Sequence, residues 1–205
     1  AHTPKGRCIA DPAIQTRGVA QVSKHQGNRA NRNLLAGSDH FTSDAPRILH
    51  LLNTMPQGPL RVETPGAPYF RPRTLPEALE ILAGHPDSTV VAGATDVALR
   101  VTKKFDVLET VLDLSAIDEL QSIQEEDGTL IIGAGLQLCR IREFTRDRAP
   151  ALHVMLEVFA ARQIRNVATI GGNLGTASPI GDLPPVLIAY DAIVVAAGPG
   201  GERQI

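Results

Sequence analysis

FAARQIRNVATIGGNLGTASPIGDLPPVLIAYDA, residues 159–192, decides how the rest of this chain is read. Its centre, ATIGGNLGTASPIGD (168–182), is rich in glycine and holds no Lys or Arg. Gly-rich loops usually grip phosphate with backbone N–H groups and a nearby cation. The Walker A pattern needs G-K-[ST], and that is absent here. The nearest cations, Arg162 and Arg165, come before the expected strand VATIGG. A serine nucleophile is excluded too: Ser178 lacks a G-x-S-x-G frame and is followed by Pro179. What remains is a neutral loop. Gly171 and Gly172 can adopt positive φ and approach a ligand closely, and Asn173, Thr176 and Ser178 offer donors. Asp182 is either a carboxylate acceptor for a ribose hydroxyl or ring N–H, or the N-cap of the helix expected from DLPPVLIAYDA.

Upstream lies a second small-residue turn, VVAGATDV (90–97). STVVAG (88–93) reads as a short buried strand ending at Gly93, and TDVALRVTKK as a helix with Val97, Leu99 and Val101 near its start. Ala94 and Thr95 let backbone amides meet an anion at the helix N-terminus. The alternative is an ordinary N-cap with Asp96 in solvent. A third run, GAGLQL (133–138), has Leu138 where a dinucleotide fingerprint needs its last glycine, and it reads better as a tight strand-to-helix turn. Two neutral loops sharing one pyrophosphate would explain the missing cation, because each ionic oxygen still receives charge-assisted bonds.

The elements around these turns follow from local chemistry. RTLPEALEILAG predicts a helix: Thr74 and Glu77 stand in capping-box spacing, and Pro76 lies in the first turn. ETVLDLS (109–115) predicts a second strand, so 74–115 alternates helix and strand, as a small parallel sheet requires. SIQEEDGTLIIGAG predicts a hairpin about Asp127-Gly128. PALHVMLEVFA (150–160) predicts an apolar helix. AIVVAAG followed by GPGG predicts a strand and turn, with RQI only beginning a return strand and the sheet edge left open.

Composition bounds the function. The chain has 205 residues, 43% hydrophobic and 20% charged, with 3% aromatic and no Trp, so its core is aliphatic. A net charge of −2 makes no general case for a nucleic-acid partner. No apolar run reaches bilayer length, which gives no membrane span. Cys8 and Cys139 are far apart in sequence and form neither a disulfide framework nor a C-x-x-C site, which favours a reducing compartment, the cytoplasm. Residues 1–60 carry a net charge of +4, leaving −6 for the remainder, and show no hydrophobic period before ILHLLNTM (48–55). Stretches such as KHQGNRANRN are too polar to cover a core, so 1–60 is expected to be a poorly ordered leader. Its charges have no aromatic residues among them, which argues against a nucleic-acid arm.

The runs VVAGATDVAL (90–99), DLSAIDEL (113–120), IGAGLQL (132–138) and residues 159–192 together resemble the FAD-binding domain of molybdenum hydroxylases, the xanthine dehydrogenase and carbon monoxide dehydrogenase flavoprotein family. The resemblance spans 69–205 and is nearest to the xanthine dehydrogenase flavin part. It implies an α+β fold of the PCMH type: two α/β subdomains with FAD between them, about 61–115 and 116–205, the second truncated and its antiparallel sheet incomplete. It implies noncovalent FAD held by Val90, Val91, Ala92, Gly93, Ala94, Thr95, Asp96 and Val97 on one side. On the other stand Thr169, Ile170, Gly171, Gly172 and Asn173, with Phe159 beside the adenine and Asp182 as an acidic contact. No residue of this chain need be catalytic or bind metal. Molybdenum cofactor and iron–sulfur clusters are expected on other domains or subunits, with NAD as electron acceptor. Neither Gly-rich run contains the His or Cys that a covalently tethered flavin needs. GNRANRN (27–33) stands roughly where the family places its last iron–sulfur cysteine motif and has no cysteine, so the leader reads as a degenerate remnant of that domain. The family's later FAD contacts lie on strands beyond Ile205, so a fragment that no longer retains FAD is one alternative reading, and another FAD oxidoreductase on the same fold is the other.

Overall fold

A computed structural model describes residues 40–56 and 58–205. The chain divides into two compact units, residues 1–57 and 58–205. In the first, α1 (His40–Thr54) is a helix containing Pro46, so part of the expected leader is regular. Its residues Leu49, Leu51 and Leu52 are exposed. GNRANRN lies outside the described residues.

The second unit starts with β1 (Leu60–Val62) and β2 (Tyr69–Arg71). Then come α2 (Leu75–Gly84), β3 (Thr89–Val91), α3 (Val97–Lys104) and β4 (Val111–Asp113). The sheet order is β1-β2-β4-β3. β2 and β3 run parallel to β4, and β1 joins antiparallel to β2. The expected parallel sheet is present with one antiparallel edge added. Thr74 caps α2 by accepting from Glu77 N, while Glu77 Oε2 takes the amide of Arg73, one residue earlier than the ordinary capping box. One expectation fails here. β3 is not buried: it sits at the sheet edge, and Val90 is 45% exposed.

Beyond a short 3₁₀ turn (Asp118–Gln121), β5 (Ile123–Glu126) and β6 (Thr129–Ile132) form the expected hairpin, with Glu126 opposite Thr129. Asp127 (φ 49°) and Gly128 (φ 78°) are both left-handed, as a two-residue turn of the I′ type demands. Five helices follow: α4 (Leu138–Phe144), α5 (Pro150–Val158), α6 (Arg162–Arg165), α7 (Ile170–Gly175) and α8 (Leu183–Ala189). Their aliphatic core joins Leu136, Leu138, Ile141, Leu152, Leu156, Ile170 and Leu183, with Phe159 packed against it. Cys139 is buried in this helical layer. The reading of Cys8 lies outside the described residues.

The chain closes with β7 (Val195–Gly198) and β8 (Gly201–Gln204), paired antiparallel from Val195–Gln204 to Gly198–Gly201. The return strand expected to be only begun is therefore formed. The second subdomain still has two separate two-stranded ribbons rather than one sheet, and the α+β class with an incomplete antiparallel part is the one observed. No helix among the described residues is long and apolar enough to cross a membrane.

Candidate functional site

The two Gly-rich runs meet within the second unit. The first leaves β3, passes Ala92 and Gly93, and enters α3 after Ala94, Thr95 and Asp96. Gly93 is pressed onto the backbone of Val167 and Ala168, just before the second run. Ala94 takes a left-handed φ of 59°, unusual for a residue with a Cβ. Among the described residues, no protein acceptor meets the amides of Gly93, Ala94, Thr95, Asp96 or Val97. Asp96 does not cap α3 with its side chain. Its Oδ2 instead lies 3.4 Å from Thr176 Oγ1, across from the second run. That hydroxyl has a shorter bond to Gly172 O at 2.6 Å, so the bridge between the runs is weak.

The second run departs from expectation. VATIGG is not a strand; only Thr169 pairs, in a single bridge with Gln137. Thr169 then caps α7, its Oγ1 accepting the Gly172 amide at 3.1 Å. Gly171 and Gly172 lie inside that helix, and neither has a positive φ. Their amides are also occupied. Ile170 N donates to Leu136 O (3.3 Å), Gly171 N to Ala134 O (2.8 Å) and Asn173 N to Thr169 O (3.1 Å). A methyl group on Gly171 would lie 2.7 Å from Ala134 O, so this glycine is needed for close approach rather than for a turn. GAGLQL is thus the shelf on which the second run rests. Gly133 and Gly135 pack on Leu120 in turn, consistent with the strand-to-helix reading of that motif.

The two runs consequently play unequal parts. The first presents a row of open N–H donors at the start of an eight-residue helix. The second has spent its amides and offers side chains. Asn173 Oδ1 is buried without a hydrogen-bond partner, an orphan whose amide end would be a donor if turned. Open amides, an orphaned side-chain amide and the lack of any Lys in either run suit a pyrophosphate held by neutral donors, and the residues fit FAD in that sense.

Phe159 and Asp182 are placed by other elements. Phe159 ends α5, half-buried against the helical core, with its carbonyl accepting from Arg165 Nη1. Asp182 stands at the N-cap position of α8 but in helical geometry (φ −80°, ψ −28°) and makes no capping bond. Its carboxylate is exposed and takes part in no ion pair among the described residues. α8 packs on α7, which sets Asp182 in the layer of the second run. Sequence reasoning missed Ala134, Val167 and Ala168, which act through their backbones and leave no side-chain signature.

Residues 61–205 match the family model described as the FAD binding domain in molybdopterin dehydrogenase. The chain belongs to this family. It is 34% identical over 158 residues to xanthine dehydrogenase of Drosophila subobscura, covering 72% of this chain and 12% of that protein. It is 34% identical over 141 residues to the nicotinate dehydrogenase FAD-subunit of Eubacterium barkeri, covering 67% of this chain and 48% of that subunit. A solved carbon monoxide dehydrogenase of Hydrogenophaga pseudoflava, a form lacking the Mo-pyranopterin moiety of its cofactor, superposes with a TM-score of 0.64 at 31% identity. That match covers 72% of this chain and 50% of the other. The chain spans about half the length, or less, of these relatives. FAD is the cofactor that this domain family takes, in enzymes of the dehydrogenase class.

Proposed function

We propose that residues 61–205 form the flavin station of a xanthine dehydrogenase-like molybdenum hydroxylase. The observation that carries this reading is the run of open amides from Gly93 to Val97, seated against the second Gly-rich run in a domain of this family. In the proposal, Val90 to Val97 line the pyrophosphate, with Gly93, Ala94 and Thr95 nearest. Thr169, Ile170, Gly171, Gly172 and Asn173 wall the other side. Their part is steric and side-chain, because their amides are already bonded. Phe159 lies beside the adenine, and Asp182 accepts a ribose or ring donor.

Bound noncovalently, FAD supplies the redox chemistry, taking electrons from iron–sulfur clusters and passing them on to NAD. The protein positions and shields it; no side chain acts as acid or base. The iron–sulfur and molybdenum centres belong to other domains or subunits, in a cytoplasmic enzyme without nucleic-acid or membrane partners.

Absorbance spectra of the purified chain, with and without added FAD, test the reading. A flavin band that stays with the protein on gel filtration and passes wholly into the supernatant on acid precipitation is expected. Colour in the pellet would overturn noncovalent binding. A second reading, a chain that does not retain FAD unaided, is favoured by the apolar side chains left exposed around β7: Ile188 (73%), Ile193 (65%) and Val195 (59%). It predicts a flavin lost on gel filtration even though titration shows binding.

A further inference from the structure

The link between α5 and α6 is a strained turn held from one side. α5 ends at Val158, Phe159 is extended (φ −64°, ψ 121°), Ala160 is left-handed (φ 43°), and Ala161 is extended again before α6 starts at Arg162. Alanine visits the left-handed region rarely, because its Cβ crowds the following carbonyl. A turn of this kind persists only where its surroundings hold it. Here the holder is Arg165. Its Nη1 donates to Ala160 O at 2.7 Å and also to Phe159 O. The two carbonyls flanking the strained residue thus converge on one guanidinium nitrogen.

That guanidinium is partly buried and lies near two like charges. Burial lowers its pKa, and the neighbouring charges of Arg142 and Arg162 lower it further, with Glu157 opposing them. It makes no ion pair among the described residues. It nonetheless bonds two main-chain oxygens. A single nitrogen carrying more than one N–H suits that task. The bonded carbonyls stand at the exit of the chain from α5, and the Phe159 ring packs on the helical core.

We propose that Arg165 is a positioning residue which, by tying the Phe159 and Ala160 carbonyls together, sets the Phe159 ring for contact with the adenine of FAD. The proposal rests on the flavin reading of the site. It assigns the cofactor's adenosine half a control point on α6, outside both Gly-rich runs.

The test labels the protein with 4-fluorophenylalanine at its five phenylalanines and assigns the Phe159 resonance by Phe159→Leu. In Arg165→Gln the Phe159 resonance should shift or broaden while the other resonances hold, and in Arg165→Lys, which keeps a cationic donor, it should return toward the wild-type position. Where Gln does not give a folded chain by circular dichroism, Arg165→Met serves, keeping the buried stem without the donors. In parallel, flavin fluorescence titrations compare FAD with FMN, which lacks the adenosine. Arg165→Gln should raise the Kd for FAD about 2- to 12-fold, the range of one aromatic contact, and leave that for FMN unchanged. An unmoved Phe159 resonance overturns the proposal, as do equal losses for FAD and FMN. A wild-type chain that takes up no FAD sinks the flavin reading alone, and the Phe159 resonance then still decides whether Arg165 positions the ring.

Discussion

Gly93 and Val167 touch through their backbones: a methyl group on Gly93 would lie 2.2 Å from the Val167 carbonyl oxygen and 2.9 Å from Ala168 Cα. Neither obstacle is a side chain that can rotate away. This contact joins the turn after β3 to the segment entering α7, and so brings two runs distant in sequence into one site.

Gly93→Ala should therefore force the two runs apart. Overpacking against rigid neighbours costs about 1–3 kcal/mol, and the loss should appear in the thermal midpoint and in FAD titration together. Gly84→Ala is the control. Gly84 ends α2, and a Cβ there meets nothing within 4 Å, so that variant should be at least as stable as the parent. Equal behaviour of the two variants would show that the backbone contact does not organise the site.

Ala94 offers the opposite experiment. Its φ of 59° carries a steric penalty that glycine lacks. Ala94→Gly should be neutral or stabilising by up to about 1 kcal/mol, the scale of that penalty offset by the entropy of a freer unfolded chain. A denaturant midpoint that falls by more than this would mean that the Ala94 methyl makes a contact worth more than its strain.

Much of this architecture was legible because it is written in local chemistry. Thr74, Pro76 and Glu77 mark the start of α2 by capping and ring geometry, and Asp127-Gly128 marks a hairpin because both residues tolerate left-handed φ. The elements that misled are held from outside. α7 begins Ile170-Gly171-Gly172, a poor helix by intrinsic propensity. Its first amides are nonetheless fixed by the carbonyls of Leu136 and Ala134, more than thirty residues earlier, and by Thr169 Oγ1. β1, β2 and β8 are three or four residues long, too short for a hydrophobic period, and their pairing partners define them. The site shows the same division. Both runs could be found by their glycines, but which of them keeps its amides open depends on neighbours whose side chains carry no signal.

Tyr69 links the first sheet across its strands, its hydroxyl donating to Asp113 Oδ2 at 2.5 Å. Burial, then the bond to the Asp113 carboxylate and its charge, push the Tyr69 pKa up from 10.0 to about 12. The neutral phenol is thus favoured in the folded state. The stability it confers is complete below about pH 10, where the unfolded tyrosine is also neutral, and is lost as pH rises from 10 through 12. Tyr69→Phe should lower stability at pH 8 by about 1.5–3 kcal/mol, the range for a hydrogen bond to a charged group. It should also flatten this part of the alkaline decline. Thermal midpoints at pH 8, 10 and 11 for both proteins check it, and parallel declines would exclude Tyr69 as the cause.

Asp182 separates ligand contact from helix capping. It occupies the residue before α8, yet its side chain makes no capping bond and its carboxylate lies exposed beside the layer of the second run. Asn caps about as well as Asp, so Asp182→Asn should leave stability nearly unchanged on either account. The difference lies in the charge. If the carboxylate accepts a ribose or flavin donor, Asp182→Asn weakens FAD by about 1–2 kcal/mol, the scale of a charge-assisted bond. Because no capping bond is there to be lost, Asp182→Ala should then weaken FAD at least as much while costing less stability than the roughly 1 kcal/mol of an ordinary cap removal. Calorimetric titration of FAD into the three proteins, beside their thermal midpoints, reads both effects. Unchanged FAD affinity in Asp182→Asn would remove Asp182 from the flavin site, and a full capping loss in Asp182→Ala would return it to the helix.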